Sequence, residues 1–158
     1  MSVTLRPSVA SDDQFLFELY ASTRRGEVAA WGWDIAQQDA FLRMQVTAQQ
    51  RAYSAHGGDA SKDIILQDGE PIGRLLVVRT TEEIHLVDIA LLPASRSHGV
   101  GTALIGNLLD EGDNEDRLVR LEVLKNNRAA LLYERLGFVK TGESGLHFQM
   151  ERRPVAAR

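Results

Sequence analysis

The run IHLVDIALL, residues 84–92, constrains the fold of this chain more than any other stretch. It is almost continuously apolar, which is typical of a strand whose two faces are both covered by other elements. Pro93 follows the run and ends the strand, because proline cannot donate a hydrogen bond to a sheet ladder. The run therefore predicts a central strand in a layered α/β domain.

The residues before this strand predict one strand, two helices and a hairpin. VTLRPSV has the alternation of a first strand, and Ser11 and Gln14 have the spacing of a capping box that opens a helix. The glycine-containing stretch RRGEVAAWGWD interrupts the helical pattern, which resumes over residues 34–52 as a second helix. HGGDASK predicts a flexible connection, and Asp68-Gly69 between two apolar runs predicts the tight turn of a hairpin.

The residues after the central strand predict helix, strand, helix and two further strands. The first helix covers Gly101–Leu109 and closes in the polar stretch DEGDNEDR, after which LVRLEVL alternates as a strand with one wetter face. NNRAALLYERLG predicts a short helix that begins at an asparagine and ends at Gly137. Phe138–Thr141 and Leu146–Glu151 predict the last two strands.

A mixed sheet with helices on both faces is the economical way to pack this order of elements. The central strand, the helix that follows it and the next strand form a strand-helix-strand unit. That unit is a right-handed crossover only if its two strands are parallel, and a ligand would bind there.

Composition and charge exclude several classes of protein. The chain has 158 residues, which suffice for a single core. It has no cysteine, which excludes disulfides, thiolate metal sites and a cysteine nucleophile. The absence of cysteine also fits a cytoplasmic protein. Its four histidines have no short ligand spacing, so no metal site is expected. A net charge of −4 argues against nucleic-acid binding. No apolar stretch has the length expected of a membrane span or signal peptide.

The junction RSHGVGTAL, Arg96–Leu104, places two glycines and a basic pair between the central strand and a helix. A P-loop would need a lysine followed by Ser or Thr, and the dinucleotide fingerprint would need a glycine where Leu104 stands, so both motifs are excluded. Glycines at such a junction let the backbone approach a phosphate, and the first amides of the helix can donate to it. From the residues alone, a phosphate loop and a merely tight turn both remain open.

Two segments in this order resemble the acyl-coenzyme-A signature of the GCN5-related N-acetyltransferase (GNAT) family. DIALLPASRSHGVGTALIGNLL is similar to its pyrophosphate loop, Arg-x-x-Gly-x-Gly. LEVLKNNRAALLYERLGF is similar to its Asn-x-x-Ala-x-x-Leu-Tyr-x-x-x-Gly-Phe segment, through Asn126, Ala129, Leu132, Tyr133, Gly137 and Phe138. The resemblance covers residues 84–150, whereas the first 60 residues match only in the order of their elements.

The resemblance implies a GNAT-like single α/β domain over residues 1–153, followed by a short tail over residues 154–158. Its sheet would be mixed and mostly antiparallel, flanked by about four helices. The resemblance also implies acetyl-CoA as the cofactor. The residues that would bind it are Arg96, Ser97, His98, Gly99, Val100, Gly101 and Thr102 at the pyrophosphate, and Ile89, Leu91 and Asn126 along the pantetheine arm. Ser97 departs from the family, which often has glycine there.

The resemblance further implies direct transfer of the acetyl group to an amine. Tyr133 matches the residue that protonates the departing thiolate in many members, and its alternative role is a core aromatic. His85, Asp88 and Glu83 are candidates for the general base, and His85 falls where the histone-modifying branch has a carboxylate. A hydrogen-bonded strand histidine and a buried, partnered aspartate are the alternatives for His85 and Asp88.

The acceptor is the part that the sequence constrains least. In this family Trp31 and Trp33 would border the acceptor pocket, and their alternative role is as core anchors. Glu27 and Asp34 could attract an ammonium group of the acceptor, and the alternative is that both acids are simply solvated. We expect a small-molecule primary amine as substrate. The alternatives are a non-catalytic acyl-CoA-binding or regulatory module and an acetyltransferase acting on protein N-termini or lysines. A homodimer is expected only by analogy with family members.

Overall fold

The computed structural model describes residues 2–54 and 59–155. Its elements are β1 (Val3–Pro7), α1 (Asp13–Ala29), α2 (Ile35–Ser54), β2 (Asp59–Gln67), β3 (Glu70–Arg79), β4 (Glu83–Leu91), α3 (Val100–Glu115), β5 (Leu118–Leu124), α4 (Ala129–Arg135), β6 (Val139–Ser144) and β7 (His147–Arg152). Short 3-10 helices, Ala10–Asp12 and Pro93–Ser95, precede α1 and follow β4. The predicted α/β fold class is confirmed.

One sheet contains the seven strands, in the order β1-β2-β3-β4-β5-β7-β6. β4 and β5 are parallel, whereas β1 and β2, β5 and β7, and β6 and β7 are antiparallel. The sheet is therefore mixed and mostly antiparallel, as predicted. The parallel pairing of β4 and β5 also meets the condition set for the strand-helix-strand unit through α3.

By its internal contacts the chain divides into two compact units. The first comprises Met1–Gly57, Ser61–Leu75 and Ile89–His98; the second comprises Gly58–Ala60, Leu76–Asp88 and Gly99–Arg158. No helix among the described residues is both long and apolar enough to cross a lipid bilayer.

In the first unit, the start of α1 differs from the prediction. Asp12, rather than Ser11 with Gln14, makes the local bonds: it accepts from the backbone N–H of Val9 at 2.8 Å and from both terminal nitrogens of Arg6 at 2.8 Å. Gln14 instead donates to Glu18 one turn along the helix. A buried aspartate thus holds the end of β1 and the entry to α1 together.

The predicted break between the first two helices is also shorter than expected. α1 continues through Gly26 to Ala29, because its apolar stripe extends to Val28, which is fully buried in a cluster with Phe17, Ala21 and residues of α2. A glycine inside a helix costs about 1 kcal/mol, which the burial of Val28 offsets. The turn between α1 and α2 therefore begins only after Ala29.

The second helix begins at Ile35, one residue after its predicted start, and a reciprocal cap precedes it. Asp34 Oδ1 accepts from the N–H of Gln37 at 2.8 Å, and Gln37 Oε1 accepts from the N–H of Asp34 at 3.1 Å. Of the expected connection HGGDASK, residues 56–58 lie outside the described part, and the rest belongs to β2. Asp68 and Gly69 have φ of 51° and 85°, which confirms the predicted hairpin turn.

In the second unit, α3 extends through most of the stretch predicted as a polar loop. Residues 110–115 are helical, because two of their acids have cationic partners: Glu111 accepts from Arg79 at 2.6 Å, and Asp113 accepts from Arg152 at 2.6 Å. α3 ends at Glu115, and the following Asp116 caps it with a φ of 56° and a backbone N–H bonded to Gly112 O. The prediction mistook a polar helical face for a loop.

β5, β7 and β6 form the other end of the sheet. Met150 of β7 lies opposite Leu121 of β5 and is fully buried. α4 begins at Ala129, whose N–H donates to Asn127 Oδ1 at 2.9 Å, and Gly137 has a φ of 100° after the helix, as its predicted capping position requires. The two predicted final strands are β6 and β7.

Candidate active site

The junction between β4 and α3 has the backbone geometry of an anion-binding loop. Gly99 has a φ of 83° and is the residue that starts α3, whose first i to i−4 bond runs from Ala103 N to Gly99 O at 3.0 Å. The amides of Val100, Gly101 and Thr102 precede that bond, so α3 gives them no carbonyl acceptor. They are free to donate at the positive end of the helix dipole, where an anion is stabilised.

Ser97 and Arg96 shape the same loop. Ser97 has a φ of 65°, in the left-handed region that glycine adopts at no steric cost, so this position is strained by its side chain. Arg96 Nε donates to Leu91 O at 3.0 Å and thereby braces the loop against the end of β4. Arg96 and His98 are both exposed, which leaves positive charge at the loop surface.

The end of β4 extends past its pairing with β5. The register between the two strands runs from Glu83 opposite Leu118 to Leu86 opposite Leu121, whereas β4 continues to Leu91. Ile89 and Leu91 therefore lie beyond the paired stretch and are half-buried. A strand that outruns its neighbour can offer backbone groups to an extended ligand, as the pantetheine interaction requires.

Tyr133 is a buried side chain among the predicted catalytic residues. It is 9% exposed, on α4, and its ring packs edge-to-face on Phe138 at 5.7 Å. Burial raises the pKa of the Tyr133 phenol, and the negative charge of Asp88 raises it further. The structure therefore brings Asp88 of β4 within electrostatic reach of Tyr133, a pairing that spacing along the sequence does not reveal.

The three candidate bases have different surroundings. His85 is 7% exposed and Asp88 is half-buried, and each makes a polar or electrostatic contact. Glu83 accepts from Arg120 Nε at 2.7 Å, so an ion pair occupies this carboxylate. The register of β4 and β5 places Arg120 opposite His85, and Arg120 reaches along the strand to Glu83.

Asn126 lies in the turn before α4 and is exposed. The neighbouring Asn127 accepts the hydrogen bond from the N–H of Ala129 at the start of α4, so it is Asn127 and not Asn126 that makes this structural contact. The side chain of Asn126 is thus open to a ligand.

The two tryptophans lie in and just after the turn between α1 and α2, in the first unit, and they are not fully buried. Trp31 and Trp33 are 46% and 38% exposed and pack edge-to-face on one another and on Phe41, with ring centroids 5.2 to 5.5 Å apart. Trp33 and Phe41 line an open groove of about 390 Å³. The nearby acids have local partners: Glu27 pairs with Arg24, and Asp34 caps α2.

These donors fit the cofactor that the resemblance implies. A pyrophosphate requires several neighbouring N–H groups, and the start of α3 supplies those of Val100, Gly101 and Thr102. The geometry thus favours the phosphate-loop interpretation of the junction over that of a merely tight turn, because the left-handed Gly99 places free amides at the helix start.

Comparisons with known proteins identify the family and the fold of this chain. The sequence model of the acetyltransferase (GNAT) family matches residues 15–138. Among solved structures, the chain is similar to PaiA N-acetyltransferase from Thermoplasma acidophilum in complex with coenzyme A, with a TM-score of 0.68, 19% identity and coverage of 97% of this chain and 99% of that one. No curated protein sequence matches significantly.

Two further structures show the same fold. An acetyltransferase from Thermus thermophilus has a TM-score of 0.69 at 16% identity, with 98% of each chain covered. The ribosomal-protein-S18-alanine N-acetyltransferase of Escherichia coli has a TM-score of 0.64 at 20% identity, covering 99% of this chain and 97% of that one. The family model spans well over half of the residues of this chain. The chain therefore belongs to the GNAT family of acetyl-CoA-dependent acetyltransferases.

Proposed function

We propose that this protein transfers the acetyl group of acetyl-CoA to the primary amine of a small molecule by direct attack. The observation that carries the proposal is Tyr133, a buried phenol whose pKa is raised by its burial and by Asp88, at the motif position of the family's general acid. The raised pKa keeps the phenol protonated at neutral pH and also makes it a weaker acid, so the assignment of Tyr133 as proton donor rests on its motif position.

In this proposal each group of residues has a distinct role. Acetyl-CoA supplies the activated acyl group as a thioester. The amides of Val100, Gly101 and Thr102 bind the pyrophosphate, with Arg96 and His98 contributing positive charge, and backbone groups of β4 orient the pantetheine arm. Tyr133 holds the proton that the departing sulfur requires. No residue forms a covalent bond with the acyl group in this scheme.

The attacking amine must lose its proton before it can react. A lysine-like amine with a pKa near 10.4 is neutral in only about one molecule in 10³ to 10⁴ at pH 7. His85 or Asp88, acting directly or through water, would accept the proton. Both lie on β4, and the burial of His85 keeps it out of bulk solvent.

The aromatic cluster in the first unit supports a small-molecule acceptor with an apolar or cationic part. Trp31, Trp33 and Phe41 present ring edges and faces beside an open groove, and a cation over a tryptophan face gains about 0.5 to 2 kcal/mol. Protein N-termini or lysines remain the second candidate class of acceptor, and an acyl-CoA-binding module without activity the third.

The first experiment measures thiol release from acetyl-CoA by the purified protein with separate pools of amino acids, polyamines, aminoglycosides, aryl amines and short peptides. We expect release above the acceptor-free rate in a small-molecule pool. Thiol release only with the peptide pool would show that the acceptor is a protein or peptide amine and not a small molecule. If no pool gives thiol release although calorimetry shows that acetyl-CoA binds, the result would favour an acyl-CoA-binding module without catalytic activity.

With an active acceptor in hand, Tyr133→Phe tests the mechanism. Turnover should fall about 10²- to 10⁴-fold, which is the usual contribution of a general acid, while the affinity for acetyl-CoA changes less than about twofold. Tyr20→Phe is the control, because it removes a phenol hydroxyl elsewhere in the chain, one that donates to Gln45 from α1. Equal turnover in wild type and Tyr133→Phe would remove Tyr133 from the mechanism.

A further inference from the structure

A second groove lies in the second unit, among residues that the proposed reaction does not use. It has a volume of about 520 Å³ and is lined by the end of α4, the start of β6 and the end of β7 with the residues that follow it. This volume is within the range of small-molecule sites, about 300 to 1,000 Å³. The groove can therefore admit a compact ligand.

Asp113 fixes one wall of this groove through two contacts. Arg152 forms an ion pair with Asp113 at 2.6 Å, and the N–H of Val155 donates to the same carboxylate at 2.8 Å, so the chain after β7 is held against α3. The bond with Arg152 lowers the pKa of Asp113, so the carboxylate stays charged at neutral pH. Gly137, with its positive φ, forms the turn that leads from α4 into β6 and lies in the lining.

The charges of the groove do not cancel. Arg152 is neutralised by Asp113, whereas the guanidinium groups of Arg135 and Arg153 have no ion-pair or hydrogen-bond partner within the described ranges. Glu151 is the one acid in the lining and likewise has no partner there. Two unpaired cations and one unpaired anion leave one net positive charge, which a monoanion complements.

The remaining lining is mostly apolar. Val139 and Val155 are 61% and 59% exposed, although such side chains are usually better covered, and Leu136 lies beside them. A ligand that covers these side chains removes their apolar surface from water, which favours binding. The ligand that matches both features has one negative charge and a compact hydrocarbon body.

We propose that this groove binds a small monocarboxylate with a compact hydrocarbon body. Arg135 and Arg153 donate to the carboxylate, whose planar oxygens match the guanidinium fork, and the hydrocarbon packs on Leu136, Val139 and Val155. A phosphate monoester presents the same kind of oxygen acceptors but carries nearly two negative charges at pH 7, which exceeds the net charge of the lining.

The test titrates 4-methylpentanoate into the full chain and follows backbone amide shifts by NMR and heat by calorimetry. We expect saturable shifts at Gly137, Val139 and Val155 with a dissociation constant of about 1 mM. 4-Methylpentanamide, which has the same body without charge, should bind at least about tenfold more weakly. Equal binding of acid and amide would overturn the proposed carboxylate site.

Matched arginine variants complete the test. Arg135→Gln and Arg153→Gln should each weaken 4-methylpentanoate binding about tenfold, because a charge-assisted bond is lost. Arg51→Gln should leave it unchanged, since Arg51 is likewise an exposed arginine in the last turn of a helix, α2, but does not line the groove. Unchanged binding in both groove variants, or tighter binding of inorganic phosphate with the same shifts, would refute the proposal. Its outcome is independent of acetyl transfer.

Discussion

At the scale of single residues, the loop before α3 shows a conflict between a side chain and its backbone. Ser97 has a φ of 65°, a conformation that costs a residue with a Cβ about 1 to 2 kcal/mol and costs glycine nothing. This explains physically why the GNAT motif often has glycine at this position. The strain is local, and the exposed Ser97 side chain makes no hydrogen bond within the described residues that would compensate for it.

Ser97→Gly should therefore stabilise the protein by about 0.5 to 1 kcal/mol, since the relieved strain exceeds the added entropy of the unfolded chain. The measurement is urea unfolding at pH 7, with calorimetry to show that acetyl-CoA affinity is retained. Ser97→Ala keeps the Cβ and should not stabilise. A stability gain shared by both variants would show that the hydroxyl, rather than the backbone, is the cause.

At the scale of elements, α3 contains two glycines in opposite surroundings. A Cβ on Gly112 would lie 2.7 Å from Arg117 O and 3.1 Å from a methyl group of Val119, whereas a Cβ on Gly106 would meet nothing within 4 Å. α3 therefore packs closely on the chain that leads into β5 at one position and is open at the other.

We expect Gly112→Ala to destabilise the protein by about 1 to 3 kcal/mol, because the clash with backbone exceeds the gain in helix propensity. Gly106→Ala, in the same helix, should stabilise it by up to about 1 kcal/mol. Urea unfolding of both variants measures the contrast. Stabilisation by Gly112→Ala would mean that α3 can move away from β5 at little cost.

The entry to α1 gives the element-scale prediction for pH. The bonds from Arg6 and from the N–H of Val9 lower the pKa of Asp12 to about 2, below the value of about 3.9 for an unfolded aspartate. Because the folded pKa is the lower one, this contribution to stability is fully present above about pH 4 and is lost as pH falls through the folded value.

Asp12→Ala should accordingly destabilise the protein by about 1 to 2 kcal/mol at pH 7, and its deficit relative to wild type should shrink between pH 4 and pH 2. Unfolding by urea across that range measures it. Asp13→Ala, at the neighbouring exposed acid, is the control and should show a smaller deficit. A deficit for Asp12→Ala that does not change with pH would assign its effect to packing instead.

At the scale of the whole molecule, the sequence predicted what depends on local pattern and missed what depends on distant partners. The central strand, the Asp68-Gly69 turn and the glycine junction were predictable, since apolar runs and left-handed turns leave direct signals. The extension of α3 was not, because Glu111 and Asp113 resemble loop residues until Arg79 and Arg152 arrive from distant strands. The proximity of Asp88 to Tyr133 likewise exists only once β4 and α4 are folded.

The charge of the whole molecule leads to the last prediction. The chain carries a net charge of −4, so its overall field repels an anionic cofactor, while Arg96 and His98 attract it locally. Salt screens both of these terms, whereas hydrogen bonds from the amides at the start of α3 act at contact distance and are screened little. Acetyl-CoA affinity should therefore fall less than about threefold between 50 and 300 mM NaCl, measured by calorimetry at pH 7. A decrease of tenfold or more would mean that clustered side-chain cations, rather than backbone amides, provide most of the binding. Arg96→Gln distinguishes side-chain cations from backbone amides as the main source of binding. If the cations provide most of the binding, this variant should lose the salt dependence together with much of the affinity for acetyl-CoA.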